Sequence, residues 1–274
     1  MSLHAFDAIR IVLVEPAGPL NVGAIARVMK NFGLSQLVLV NPQCDPLGEE
    51  ARRMAVHASD LLVQAQSVSS LPEALAGCQQ AVATTARSRH FEAPLLPPAA
   101  GLAPLLATPA VSAAIIFGPE DRGLSNQELV YAQRFIRIPS DQGYPVLNLA
   151  QAVAICCYEL YGLTLPQIQD DSAPDAVTAE IESFLPKTLP NSPNSDKQSA
   201  TAVLDELEGF YQQLESVLLK IGYLYPHTAA SRMRKFRRLL HRAAPSSGEV
   251  ALLRGILRQV EWASQSAPTT PDPP

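Results

Sequence analysis

Two short apolar runs, Ile9–Val14 and Gln36–Val40, flank a stretch in which Val22, Ile25, Met29 and Phe32 recur at helical spacing. Asn21 is placed to cap that helix and Gly33 to stop it. Two buried strands joined by one helix predict a parallel βαβ unit. The pattern then repeats. A helix is expected over Glu49–Gln64, then a short one opened by the capping box Ser70-Leu71-Pro72-Glu73. A strand at Ala81–Thr85, a Pro-rich loop and a strand at Ala113–Phe117 follow. A second box, Ser125-Asn126-Gln127-Glu128, opens a helix to Gln133, and a strand at Phe135–Ile138 precedes a long helix from Leu147 to Tyr161, ended by Gly162. The expected fold class is α/β, with about five parallel strands in a domain spanning 1–165.

From 166 to 200 the composition shifts to Pro, Ser, Asp and Asn, the signature of a flexible linker. Helical periodicity returns over 201–262, as Val203–Ile221, Ala229–Ala243 and a third helix opened by Ser246-Ser247-Gly248-Glu249. The Val203–Ile221 helix is amphipathic and should pack within this tail or on a partner subunit. The Pro/Ser/Thr segment 263–274 is expected to be disordered. No apolar run approaches the roughly 18 to 20 residues that span a bilayer, and no secretory signal pattern opens the chain, so a cytoplasmic location is expected.

Charge changes the picture. The net charge is −5, yet Lys220–Arg258 carries nine basic residues against the single acid Glu249. Arg232, Arg234, Lys235, Arg237, Arg238 and Arg242 crowd one helix, where like charges three and four apart repel unless a polyanion neutralises them. The segment is therefore read as an RNA-binding extension. Few aromatics accompany it, which predicts recognition of shape and backbone rather than of splayed bases. Cys44, Cys78, Cys156 and Cys157 lack zinc-ligand spacing, and no metal is expected.

The commoner nucleotide sites are absent. The first strand–helix turn, Glu15 to Gly23, has no G-x-G-x-x-G. Gly118-Pro119-Glu120-Asp121-Arg122-Gly123 has a P-loop frame, but Leu124 stands where the phosphate-binding Lys is needed. No G-x-S-x-G elbow exists, and the five His residues have no partner at telling spacing.

Three segments place glycines and polar residues just after buried strands, where open α/β sheets bind ligands. They are Asn21-Val22-Gly23-Ala24-Ile25-Ala26-Arg27, Ile116–Leu124, and Ile138-Pro139 followed by Leu147-Asn148-Leu149-Ala150. In order and separation they resemble the three motifs of the SpoU/TrmH class of SPOUT methyltransferases over about residues 9–162. Ile11–Pro42, Thr84-Thr85-Ala86-Arg87 and the basic tail are similar to the TrmJ branch, which 2′-O-methylates tRNA nucleotide 32. An rRNA 2′-O-methyltransferase and a non-catalytic RNA-binding SPOUT protein are the alternatives.

The resemblance implies a parallel-sheet SPOUT domain with a trefoil knot, a small all-helical C-terminal extension, a homodimer, S-adenosylmethionine as cofactor and tRNA as substrate. It implies cofactor contacts from Thr84, Thr85, Ala86, Gly118, Glu120, Gly123, Ile138 and Leu147. It also implies an active site built from Asn21, Arg27, Glu120 and Asn148. Arg87 and Arg89 suit phosphate contacts. Deprotonating an Arg at neutral pH costs roughly 8 kcal/mol, so Arg27 is favoured as an electrostatic donor, with general-base action the alternative. One departure stands out: the branch carries Ser-Ser-Leu-Asn where this chain has Pro145-Val146-Leu147-Asn148.

Overall fold

The computed structural model describes residues 6–86, 94–107, 111–165 and 201–266. They fall into two compact units, one on each side of the span 166–200. The segments carrying Arg87 and Arg89, the expected linker, and most of the expected tail lie outside the described residues.

Among its described residues the first unit is a seven-stranded, wholly parallel sheet with helices. Its strands are β1 (Ile9–Val14), β2 (Gln36–Val40), β3 (Gln66–Val68), β4 (Gln80–Thr84), β5 (Leu95–Leu96), β6 (Ala113–Phe117) and β7 (Arg134–Ile136), in spatial order β3-β2-β1-β6-β4-β7-β5. The helices are α1 (Pro19–Asn31), α2 (Glu49–Ala55), α3 (Ser59–Gln64), α4 (Leu71–Ala74), α5 (Pro98–Leu106), α6 (Asn126–Leu129) and α7 (Leu149–Gly162). The core joins the expected strand runs to the expected helix stripe: Ile11, Leu13, Ile115 and Phe117 on strands meet Val22, Ile25 and Met29 on α1 and Val153, Cys156 and Leu160 on α7, while Phe32 packs against it only partly buried. Gly23 lets α2 approach α1, because a Cβ there would lie 2.2 Å from the Ala51 carbonyl oxygen.

Several local expectations are corrected. The sheet gains β3 and β5 at its two edges. The Pro-rich loop contains β5 and α5, since Pro98 sits in the first helical turn, where its missing N–H costs nothing. The single helix expected over Glu49–Gln64 breaks at Val56, whose φ of +52° is left-handed and unfavourable for a β-branched residue. Lys30 braces that break by donating to the His57 carbonyl (2.8 Å) and to Asp60 (2.7 Å). The Ser70 box does not close: Glu73 instead accepts from the Ser69 N–H and hydroxyl, both at 3.0 Å. The Ser125 box forms as expected but holds only one short turn, α6. Asn21 does not cap α1; the cap position is Gly18, and Asn21 is free for another task.

Among its described residues the second unit has three helices, α8 (Leu204–Lys220), α9 (Pro226–Ala243) and α10 (Ser247–Ser266). α8 packs on both others through Leu207, Phe210, Tyr211, Leu214 and Val217, so its apolar face is satisfied within this unit. α10 continues to Ser266, past the expected end of the helical region. Among the described residues, no helix is long and apolar enough to cross a membrane.

Candidate active site

Four neighbouring strands, β1, β6, β4 and β7, run parallel and deliver their following segments to one edge of the sheet. There they form a solvent-open cleft. Thr84, Thr85, Ala86, Gly118, Glu120, Gly123, Ile138 and Leu147 all line it. Phe117, Leu124, Ile136, Leu149 and Ala152, none of them expected as a cofactor contact, add apolar wall.

Glycine is required at two points of the wall. A Cβ on Gly118 would sit 2.3 Å from the Leu124 nitrogen and 2.5 Å from the Gly123 carbonyl carbon, so the Gly118–Leu124 loop closes only on a bare backbone. Gly123 itself holds φ +64°. The main-chain groups of Gly118, Ile138 and Leu147 have no hydrogen-bond partner among the described residues. Polar main chain at a half-buried wall needs a partner, and a ligand with hydrogen-bonding edges supplies one.

The three segments are tied together by side chains. Asn148 donates through Nδ2 to Asn21 Oδ1 at 3.0 Å, and Asn21 donates through its own Nδ2 to Glu120 Oε1 at 2.8 Å. Glu120 also accepts from the N–H groups of Gly18 (3.2 Å) and Ala17 (3.1 Å), in the turn that opens α1. Burial alone raises the Glu120 pKa. The hydrogen bonds from Asn21, Ala17, its own N–H and Gly18 outweigh burial, and the net shift is downward. Glu120 is therefore a carboxylate held by neutral donors at the positive end of a helix. Asn148 caps α7, its Oδ1 accepting from the N–H groups of Ala150 and Gln151. Its rotamer is fixed by the same box that starts the helix.

Glu120 does not pair with Arg122, its neighbour in sequence. Arg122 instead bridges Glu15 at 2.6 Å and Glu128 at 2.9 Å. The clamp from Glu128, then Glu15, raises the guanidinium pKa and ties the second segment to the end of β1 and to α6. No motif pointed to this clamp, although Glu128 was visible as the acid of the Ser125 box. Arg27 is exposed on α1 and is not part of the cleft lining. The structure thus links Asn21, Glu120 and Asn148 by hydrogen bonds; of the four expected active-site residues only Glu120 lines the cleft, and Asn21, Asn148 and Arg27 lie outside its lining.

In the helical unit, Arg232, Arg234, Lys235 and Arg238 are exposed on α9. Arg237 is not. It turns inward, donates to both Glu208 oxygens (2.6 and 2.9 Å) and lies 4.3 Å over the Tyr211 ring. Its side chain is only 15% exposed, so Arg237 is corrected from an RNA contact to a packing residue of this unit.

Comparison with known proteins agrees with this geometry. The profile of the SpoU rRNA Methylase family matches residues 8–158, and that of the tRNA methyltransferase TrmJ C-terminal domain matches 205–270. A tRNA (cytidine/uridine/adenosine-2′-O-)-methyltransferase TrmJ of Pseudomonas aeruginosa is 40% identical over 259 residues, covering 93% of this chain and 94% of that protein. A tRNA (cytidine/uridine-2′-O-)-methyltransferase TrmJ of Pectobacterium atrosepticum is 39% identical over 256 residues, covering 93% and 97%. The crystal structure of TrmJ from Z. mobilis ZM4 aligns with a TM-score of 0.73 at 30% identity, over 92% of this chain and 98% of that one. The order of the three segments, the parallel sheet that gathers them and the matched C-terminal helices place the chain in the SpoU methylase family, as a member of the TrmJ type.

Proposed function

We propose that this protein transfers the methyl group of S-adenosylmethionine to a ribose 2′-hydroxyl of tRNA. The observation that carries this reading is the cleft. Leu124, Ile136, Ile138, Leu147 and Leu149 give an apolar slot for a purine, while the unpartnered main-chain groups of Gly118, Ile138 and Leu147 stand at its wall to bond the purine edge. Glu120 and Asp121 add negative charge suited to a cationic donor. The residues present therefore fit S-adenosylmethionine, which supplies an electrophilic methyl group on a sulfonium.

The chain's own residues do the rest. The Asn148–Asn21–Glu120 relay fixes the three segments against one another, so the acceptor approaches a preorganised edge. Arg27, exposed on the helix that carries Asn21, orients an acceptor phosphate and stabilises developing alkoxide charge. Its place outside the cleft lining fits a site completed by a partner subunit or by the RNA itself, in keeping with a homodimer. The trefoil knot that the resemblance implies over 113–150 belongs to this reading. So does nucleotide 32 of the anticodon loop, which is taken from the branch the chain resembles. Exposed Arg234, Lys235 and Arg238 supply phosphate contacts.

The test incubates the full chain with unmodified tRNA transcript and isotopically labelled S-adenosylmethionine, then identifies 2′-O-methyl nucleosides by mass spectrometry of the digest. A labelled 2′-O-methylpyrimidine at position 32 is expected. No calorimetric binding of S-adenosylmethionine, or label on a base, overturns the proposal.

A further inference from the structure

The turn between α8 and α9 exposes two aromatic rings close together in sequence, Tyr223 and Tyr225. Gly222, at φ +77°, ends α8 in a left-handed residue, and Leu224 then plugs into the helical core at 2% exposure. Its flanking residues are forced outward: Tyr223 is 52% exposed and Tyr225 is 55% exposed. Their backbones are nonetheless pinned. Arg232 donates to the Tyr223 carbonyl at 2.9 Å and lies 5.6 Å over its ring. The Tyr225 carbonyl accepts from the N–H groups of Thr228 and Ala229, both at 2.9 Å. The Tyr225 ring stacks on His227, with centroids 6.0 Å apart and planes 21° from parallel. Neither tyrosine hydroxyl has a partner among the described residues.

Rigid, exposed rings lose little entropy on binding, so they are anchors waiting for a flat partner. The neighbouring helix decides which partner. α9 carries exposed Arg234, Lys235, Arg238 and Arg242 and no acidic residue at all. A protein surface would have to supply many carboxylates together with apolar area, whereas RNA supplies anionic backbone and planar bases at fixed spacing.

We propose that Tyr223 and Tyr225 form a stacking platform for unpaired nucleotides of the RNA substrate, with Arg232 as the positioning residue that holds the Tyr223 ring. The inference rests on the proposed RNA substrate and runs against the sequence-based expectation that shape and backbone recognition dominates in this unit. Stacking on aromatic side chains is sequence-tolerant and sensitive to truncation. The platform thus grips splayed bases while the charges on α9 hold the phosphates.

The test measures tRNA affinity of the full chain by fluorescence anisotropy across a salt series. Variants are Tyr223→Ala, Tyr225→Ala, Tyr223→Phe, Tyr225→Phe and Lys235→Ala. Each tyrosine-to-alanine change should weaken binding about ten-fold with the log–log salt slope unchanged. Each phenylalanine should stay within about two-fold of wild type, because the ring rather than the hydroxyl binds. Lys235→Ala should instead lower the salt slope by about 1. The rings are exposed, so circular dichroism should show unaltered helix content. Alanine variants that bind as tightly as wild type, that change the salt slope, or that alter subunit association instead of RNA affinity overturn the platform while leaving the methyltransferase reading intact. A wild-type protein that binds no tRNA overturns the substrate reading itself.

Discussion

Glu120 and Glu208 are both withdrawn from full solvent, yet the two units treat them in opposite ways. In the cleft, Glu120 is satisfied by the N–H groups of Ala17 and Gly18, its own N–H and the Asn21 amide, all neutral. In the helical unit, Glu208 is cancelled by a bidentate Arg237. Hydrogen bonds from neutral donors keep a carboxylate ionised without erasing its field, whereas an ion pair erases it. The first arrangement suits a site that must attract a cation and stay in register. The second suits a packed interior that should have no net charge.

The largest expected effect comes from breaking the ion pair on one side. Arg237→Ala strands the Glu208 carboxylate and bares the Tyr211 ring, at a cost of about 3–5 kcal/mol in urea denaturation of the full chain. Replacing both partners together with apolar residues should cost far less, and an equal cost would show that packing, not charge, dominates.

In the cleft, Glu120→Ala leaves Asn21, Ala17 and Gly18 without an acceptor and lets the three segments drift. Methyl transfer should fall roughly 100-fold with the sheet intact, since small misplacements of reacting groups cost about that much. Glu120→Gln separates charge from shape. If the charge itself matters, S-adenosylmethionine affinity falls in this variant although an acceptor oxygen remains.

pH sharpens the contrast. His241 packs near Tyr211, with ring centroids 6.0 Å apart, and burial, then the Arg237 charge, pushes its pKa down to about 4 from 6.5. A base with a depressed folded pKa contributes stability that is whole above pH 6.5 and is lost as pH falls toward 4. The helical unit should weaken by up to about 3 kcal/mol across that window, and His241→Phe should flatten the dependence. The depressed Glu120 pKa has the same sign but acts lower, its contribution vanishing only as pH drops below the ordinary carboxylate range. Chemical denaturation at successive pH values, followed by amide hydrogen exchange resolved to each unit, separates the two.

Much of this was legible in the chain because burial writes itself as apolar runs. β1, β2 and β6 have the predicted bounds, since strands buried on both faces read as continuous hydrophobic stretches. β5 and α5 were not legible: a two-residue strand has no period, and prolines at a helix start look like a loop. Part of the cleft lining, from Thr84–Ala86 to Leu147, could be named from the resemblance. What could not be read was which polar groups face each other. Asn21 looked like a cap and serves as a tether, Arg237 looked like a phosphate contact and serves the interior, and Arg122 found its acids 107 and 6 residues away. Pairings over such distances leave no local signal.

The tether itself sets when the enzyme can exist. Asn21 meets Glu120 across 99 positions and Asn148 across 127, and β1 gains its second neighbour only when β6 arrives. Loop closure on that scale comes late in folding. A nascent chain halted before the start of α7 would have the framework of a sheet but no working pocket, so competence for the reaction should appear in one step as the last segment leaves the ribosome.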